Sequence, residues 1–384
     1  MQPLTERERY KEIDVLRGIA LLGILLVNML VFHSPYIYID PFSWYQLPKD
    51  QQTSQIIDIW FQGSFYPLFA MLFGFGLALQ ADRMKDQFIR FGIKRMGVLL
   101  VLGILHVLLL WAGDILITYA ASGFILLFLL RLSKMWLITL GTLFYFIPNA
   151  AILLLLYGIE KLDPSSSAIY TSIQGLEESI EAYGSGSFIE IFFQRLADWN
   201  YMNQNGFFLL WMLFSILPLM MFGAFAAKAS IVNWVRTKRV TAFVIGVLFF
   251  AMGTWIKWIP YLSEGTNFTG TLQTTIGGPI QAIGYALLLL VLLVNTVHLF
   301  LWRPFERAGR MSLTIYLLMS LLATTFFYSY GLGFYGKVDV LTGTWIGIGL
   351  YALCVIFAEL WLTYFKQGPM EKLWRYFTYP RTNR

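Results

Sequence analysis

Ten stretches of apolar residues, each close to the length that crosses a lipid bilayer as a helix, dominate this sequence. They run approximately over Val15–Phe32, Ile56–Leu79, Met96–Trp111, Ile115–Leu130, Trp136–Gly158, Phe207–Ala227, Val240–Trp258, Ile276–Phe300, Met311–Tyr330 and Gly343–Phe365. A hydrocarbon layer of about 30 Å takes roughly 20 helical residues. Within it every backbone N–H and C=O needs a partner, and a helix finds them all inside one segment. The runs therefore predict an all-α integral membrane fold of about ten transmembrane helices. The third run is short, and Trp111-Ala112-Gly113-Asp114 after it reads as a tight hairpin turn.

The charges agree with this count. When successive runs are placed across the membrane in alternation, 23 of the 28 lysines and arginines fall on the side of the termini. The other side receives only Lys49, Lys161, Arg195, Lys257 and Lys337. Merging or splitting one run would destroy the bias. Such a bias marks the cytoplasmic side, so both termini are expected inside. The chain is 58% hydrophobic and 13% charged, against roughly a quarter charged in soluble domains. Its net charge of +6 sits in short loops between apolar runs, so membrane orientation accounts for it and no nucleic-acid partner is expected. The single cysteine, Cys354, excludes an intramolecular disulfide and a cysteine-built zinc cluster. The first run lacks a small-residue cleavage site and reads as a retained helix. One membrane domain, 1–384, is expected, with an acidic extracytoplasmic loop at 159–205. Two short surface helices, Ser172–Tyr183 and Phe188–Trp199, are expected in that loop, which acts either as a lid or as a solvated connector.

Ionisable groups at membrane depth cost several kcal/mol unless paired or hydrated, so each needs a reason. At 1.5 Å per residue, His106 lies about 16 Å beyond Arg95, near mid-bilayer, and Asn28 lies about 16 Å beyond Arg17 on the same face. Asp14 shares nearly that face. Asp114, eight residues after His106, is expected at the outer surface. Polar residues recur at four-residue spacing as Asp58, Gln62 and Tyr66, as Asp114, Thr118 and Ser122, and as Ser312, Tyr316, Ser320 and Thr324. Glu359 lies about 10 Å inside the inner end of the last run. Stripes of this kind at overlapping depths predict a hydrated internal cavity. Blander readings stand beside it. Asp14 and Arg17 would form a local salt bridge, His106 would bond a neighbouring helix, Ser and Thr would hold helices together, and Glu359 would pair with an inner cation. Gly74-Phe75-Gly76 reads as a close helix contact, and Gly277-Gly278-Pro279 as a broken start to the eighth helix. No His-Glu-x-x-His, Gly-x-Ser-x-Gly or Walker sequence occurs, and no metal site is expected.

The first helix reads Asp14-Val-Leu-Arg17-Gly18, continuing to Asn28. Further stretches are Phe69-Ala-Met-Leu-Phe-Gly-Phe-Gly76, His106-Val-Leu-Leu-Leu-Trp-Ala-Gly-Asp114, Gly309-Arg-Met-Ser-Leu-Thr-Ile-Tyr316 through Ser320, and Gly368-Pro-Met-Glu-Lys-Leu-Trp-Arg375. Together these resemble the YeiB family of bacterial polytopic membrane proteins along the whole chain. At the family's usual Thr-Asn-Tyr this chain has Thr314-Ile315-Tyr316. The first-helix motif is also similar to the transmembrane acyltransferase superfamily, which includes acyltransferase-3 proteins and heparan glucosaminide acetyltransferase. That resemblance implies transfer of an acyl group from cytoplasmic acyl-CoA to an extracytoplasmic acceptor. In acyltransferase-3 proteins an arginine is followed, ten residues intervening, by an essential histidine. Here Arg17 is followed in that way by Asn28, as in the heparan enzyme, and His106 is the better-placed histidine than His33.

On this reading Arg17, Lys94 and Arg95 hold the acyl-CoA phosphates, and His106 is the general base or transient acyl carrier. Asn28 orients the thioester carbonyl or donates to an oxyanion. Asp114 binds the acceptor on the outer side, while Asp14, Tyr316, Ser320 and Glu359 line or support the pore. The resemblance implies the inner membrane of a bacterium, with lipids and a small-molecule or glycan acceptor as partners. Both a monomer and a homodimer fit the sequence. A transporter with His106, Asp114 and Glu359 as a relay is the alternative, and a lipid-binding or assembly factor without chemistry is a third reading.

Overall fold

A computed structural model describes residues 10–40, 44–163, 171–203, 207–263 and 265–378. Among them the chain is helical, with no strand. The helices are α1 (Lys11–His33), α2 (Pro48–Trp60), α3 (Phe65–Met84), α4 (Phe88–Leu109), α5 (Leu116–Leu129) and α6 (Lys134–Leu162). The loop after α6 holds α7 (Ile173–Ser185) and α8 (Phe188–Asn203). Then follow α9 (Phe207–Lys228), α10 (Ile231–Thr237), α11 (Arg239–Leu262), α12 (Asn267–Leu272), α13 (Gly278–Thr296), α14 (Arg303–Arg310), α15 (Ser312–Phe327), α16 (Val340–Tyr364) and α17 (Pro369–Thr378).

Seven of these segments are long and apolar enough to cross a bilayer, counting α2–α3 and α12–α13 as one segment each. Two bent pairs reach that length and apolarity only together, Leu213–Lys228 with Ile231–Thr237 at 57° and Phe300–Arg310 with α15 at 85°. The apolar helix Leu116–Leu129 is shorter. The third expected run starts earlier than hydropathy indicated, at Phe88, because the polar turns around Arg90 and Lys94 continue the helix. No break occurs at Gly277-Gly278-Pro279. A π-helical turn, Gln273–Gly277, carries α12 into α13, and Pro279 sits in the first turn of α13, where its missing N–H is harmless.

Small residues set the helix spacing. A Cβ on Gly74 of α3 would lie 1.9 Å from the Met220 carbonyl oxygen of α9, and one on Gly223 would lie 1.8 Å from that of Met71. The two helices thus cross backbone to backbone, as small residues permit where lipid supplies no hydrophobic drive. Gly18 and Gly309 make the same kind of crossing between α1 and α14. Arg303 and Arg307 then pin α14 to Glu359 of α16, at 2.7 and 3.0 Å. Glu359 is therefore an anchor for the bent span and not a cavity residue.

Tyr10 before α1 and Thr378 of α17 line one cavity, so both described ends lie on one face of the bundle. On the opposite face α7 and α8 form a packed cap. Asp198 of α8 accepts hydrogen bonds from Tyr38, Tyr183 and Gln194, each at 2.7 Å.

Candidate functional site

The last turn of α4 carries His106 into the interior, where it is 1% exposed. The chain then reverses through Trp111–Asp114 and enters α5. Asp114 Oδ2 accepts from the Ile117 N–H at 2.8 Å, satisfying a free donor in the first turn of α5. Its other oxygen lies 3.0 Å from His106 Nδ1, with both side chains fully buried. That contact is close but off the axis of a hydrogen bond. On the opposite edge of the ring, Nε2 lies 2.9 Å from Ser320 Oγ of α15. Carboxylate, imidazole and hydroxyl thus form one chain, Asp114–His106–Ser320. This placement corrects the expectation that Asp114 reaches the outer surface. The chain turns back at Trp111 instead of continuing the helix, which brings Asp114 beside His106.

Aromatic rings enclose the group. The Tyr316 ring packs on His106 at 5.1 Å between centroids, and Trp111 meets it edge-on at 6.4 Å. Trp111 in turn packs on Phe32 of α1 at 4.2 Å. His33 is also buried, but neither ring nitrogen has a hydrogen-bond partner among the described residues. His298 is exposed. His106 is thus the histidine whose ring nitrogens meet polar side chains.

A cavity of about 590 Å³ opens on the face of the described ends. Its rim carries Arg17, Arg83, Arg95, Arg310 and Arg375, with Asp14 and Glu371 as the acidic members. Deeper, Leu21, Ile24, Phe69 and Phe73 make the wall apolar, and it closes on Ile115, Tyr119 and Tyr316. His106 does not line it. Tyr316 is one turn before Ser320 on the same face of α15, so its ring stands between cavity and imidazole.

The other sequence candidates fall as follows. Arg17 donates to Asp14 at 3.1 Å and to the Leu72 carbonyl at 3.2 Å while lining the cavity. Arg95 also lines it, donating to Gln80 and lying 3.9 Å over the Trp374 ring. Lys94 is exposed and does not line the cavity, because its neighbour Arg95 takes the inward position. Asn28 continues the stripe of Arg17, Leu21 and Ile24 on α1, half-buried, but lies beyond the cavity lining and outside the His106 cluster.

Sequence reasoning missed the part played by α17. Glu371 accepts from the Leu313 N–H at 2.9 Å and the Thr314 N–H at 3.1 Å, and from the Thr314 hydroxyl. It thereby caps the N-terminus of α15, where a carboxylate is favoured. Burial pushes its carboxyl above the usual range, although these hydrogen bonds pull the other way. Through this contact α17 forms part of the cavity rim, with Trp374 and Arg375. The signal was present in the amphipathic stretch Gly368–Arg375, which follows the last apolar run.

Fold and site together define a polytopic α-helical membrane protein with a buried histidine group behind a basic-rimmed cavity. Sequence relatives narrow this class. A family model described as "Protein of unknown function (DUF418)" matches residues 219–381. "Uncharacterized protein YxaH" of Bacillus subtilis (strain 168) is 32% identical, over 99% of this chain and 96% of its own length. "Uncharacterized protein YeiB" of Escherichia coli (strain K12) is also 32% identical, over 97% of this chain and 96% of its own. The chain belongs to the YeiB family.

Proposed function

We propose that this protein is a membrane acyltransferase, with its basic rim in the cytoplasm of a bacterium and its inner membrane as the site of action. It takes an acyl group from acyl-CoA and passes it to a hydroxyl acceptor, a glycan or other small molecule. The observation that carries the reading is the form of the inner cavity, which runs from five arginines at the rim to an apolar end at Tyr316, against His106. An acyl-CoA has the same polarity gradient, with phosphates at one end and a thioester-linked chain at the other. Arginine forks suit phosphate oxygens. The volume is within the usual range of small-molecule sites.

In the reaction, the acceptor oxygen attacks the thioester carbonyl carbon. Its proton passes to His106 Nε2, the C–S bond breaks, and the departing sulfur takes that proton, giving ester and free CoA thiol. The Asp114 carboxylate, 3.0 Å from Nδ1, favours the proton of the resting imidazole on that nitrogen through its charge, leaving Nε2 as acceptor. Tyr316 must swing off the imidazole for the thioester to reach it, and Ser320 must release Nε2. The transporter alternative requires Glu359 as a third relay group. Its ion pairs with Arg303 and Arg307 favour the enzymatic reading.

The test is titration calorimetry of the purified protein with acyl-CoAs of several chain lengths, beside an assay of free-thiol release. Binding, with release abolished in His106→Ala while the melting curve persists, is expected. Absence of binding at millimolar acyl-CoA would move the assignment to transport.

A further inference from the structure

A second cavity, of about 410 Å³, opens on the opposite face and shares no lining residue with the first. α2, the end of α11, and α12 with its π turn make its walls. Apolar side chains are missing from its lining among the described residues. The amides of Gln51, Gln55, Gln62 and Gln273 supply both donors and acceptors, and Asp58 supplies a carboxylate. Tyr36 and Tyr261 complete the lining.

Behind this wall lies Lys257, 0% exposed. Its ammonium donates to the Gln62 carbonyl at 2.6 Å and to Ser64 Oγ and Gln281 Oε1, each at 3.1 Å. Three protons thus meet three acceptors, and none is a carboxylate. The countercharge is Asp58 in the cavity wall, on which the charge of Lys257 acts. Gln273 links the two, its Nε2 donating to Asp58 Oδ2 at 2.6 Å and to the Lys257 carbonyl at 3.2 Å. Tyr261 also donates to Oδ2, at 2.7 Å. Oδ1 of Asp58 receives no hydrogen bond among the described residues. Nor does the buried Oε1 of Gln62. Acceptors therefore remain for a ligand that donates hydrogen bonds.

The backbone is shaped for this site. A π turn is often found at functional positions, and here it delivers Gln273 and Thr274 to the wall. Gly63, at a φ of 70°, packs its Cα region against Thr274 while the preceding carbonyl, that of Gln62, meets Lys257. Burying an ammonium and holding a carboxylate in the wall beside it costs several kcal/mol, so the pair needs a role beyond packing.

We propose that this cavity binds a neutral, hydroxyl-rich molecule, a mono- or disaccharide. The wall's acidic group, Asp58, and the basic group behind it, Lys257, are of opposite type, so neither a cation nor an anion meets an uncompensated partner here. An apolar ligand would leave carboxylate and amides unpaired on desolvation, a penalty that a sugar's hydroxyls avoid. Carboxylate and amides accept from and donate to vicinal hydroxyls of a pyranose. The inference stands apart from acyl transfer, because it concerns a different cavity and a binding equilibrium.

The experiment uses the full chain in detergent. Glucose, mannose, N-acetylglucosamine, maltose and sucrose are titrated at millimolar concentrations and followed by calorimetry and thermal shift. Sodium, potassium, calcium and choline serve as ionic probes. Gln55→Ala tests the wall with little risk to the fold, since its side chain makes no hydrogen bond among the described residues, and Asp58→Asn tests the carboxylate. Saturable binding of one or more sugars is expected, weakened at least about tenfold by either substitution, the equivalent of one lost hydrogen bond. Absence of saturable sugar binding, or sugar binding indifferent to both substitutions, overturns the proposal. Saturable binding of a cation that depends on Asp58 also overturns it and makes the cavity an ion site. Acyl-CoA binding by the same preparation reports on the inner cavity separately.

Discussion

Replacing Asp114 separates a structural role from a chemical one. Its carboxylate serves two buried groups at once, the Ile117 N–H at 2.8 Å and His106 Nδ1 at 3.0 Å. Asp114→Ala leaves the Ile117 N–H without its acceptor and His106 Nδ1 without the carboxylate that faces it, where water does not reach. A buried donor stranded in this way costs about 1–3 kcal/mol, and loss of the carboxylate facing the imidazole adds to it, so a loss of at least about 1–3 kcal/mol is expected. Asp114→Asn differs. The amide oxygen still accepts from Ile117, but its NH2 now faces Nδ1, which must become the acceptor. The imidazole proton then moves to Nε2, and Nε2 can no longer take a proton from an acceptor hydroxyl. The Asn variant is therefore expected to melt within about 1 kcal/mol of the parent, with acyl-CoA binding intact and thiol release lost. Detergent melting curves, calorimetry and the thiol assay on parent, Ala and Asn variants measure all three quantities. A parent-like melt for Asp114→Ala refutes the buried pairing. Full thiol release by Asp114→Asn refutes the role assigned to the tautomer.

Three further outcomes are expected. Arg17→Ala should weaken acyl-CoA binding by about tenfold or more, as loss of a charge-assisted contact implies. It should also lower the melting temperature by removing one partner of buried Asp14, partly rescued when Asp14→Ala is added; unchanged titrations and melts would show an idle pair. Glu371, with its carboxyl raised by burial, should make docking of α17 depend on pH. Docking binds the proton, so it is strongest below the ordinary carboxylate value of about pH 4 and weakens as pH rises through the raised value. Labelling of a cysteine placed at Thr378, which is buried in the docked helix, follows this, and Glu371→Gln should flatten the profile. Gly74→Ala should destabilise by about 1–3 kcal/mol or more, since the Cβ meets the Met220 carbonyl, whereas Gly158→Ala, with open space around it, should melt like the parent.

The residues alone established the membrane bundle, because solvation in lipid is a property of composition and run length. An apolar stretch of bilayer length has few alternatives to a helix, and lysines and arginines on alternate sides fix the order of crossings. His106 and Ser320 also stood out locally, since a polar group at that depth needs a reason wherever its helix packs. The partners of these groups were a tertiary matter. Asp114 looked like a surface residue until the reversal at Trp111 folded it against His106, and helical spacing holds no information about such a reversal. Glu359 had the depth of a pore residue, but the 85° bend at α14 brought Arg303 and Arg307 to it. Lys94 and Arg95 are adjacent in sequence, and only packing against α17 decided that Arg95 faces the cavity. The far cavity is the extreme case. Asp58, Lys257 and Gln273 come from three separate helices; Asp58 reads in sequence as part of a stripe with Gln62 and Tyr66, and Lys257 as one of the few charges on the outer side. Their juxtaposition exists only where those helix ends meet, because electrostatic pairing depends on distances that the tertiary fold sets.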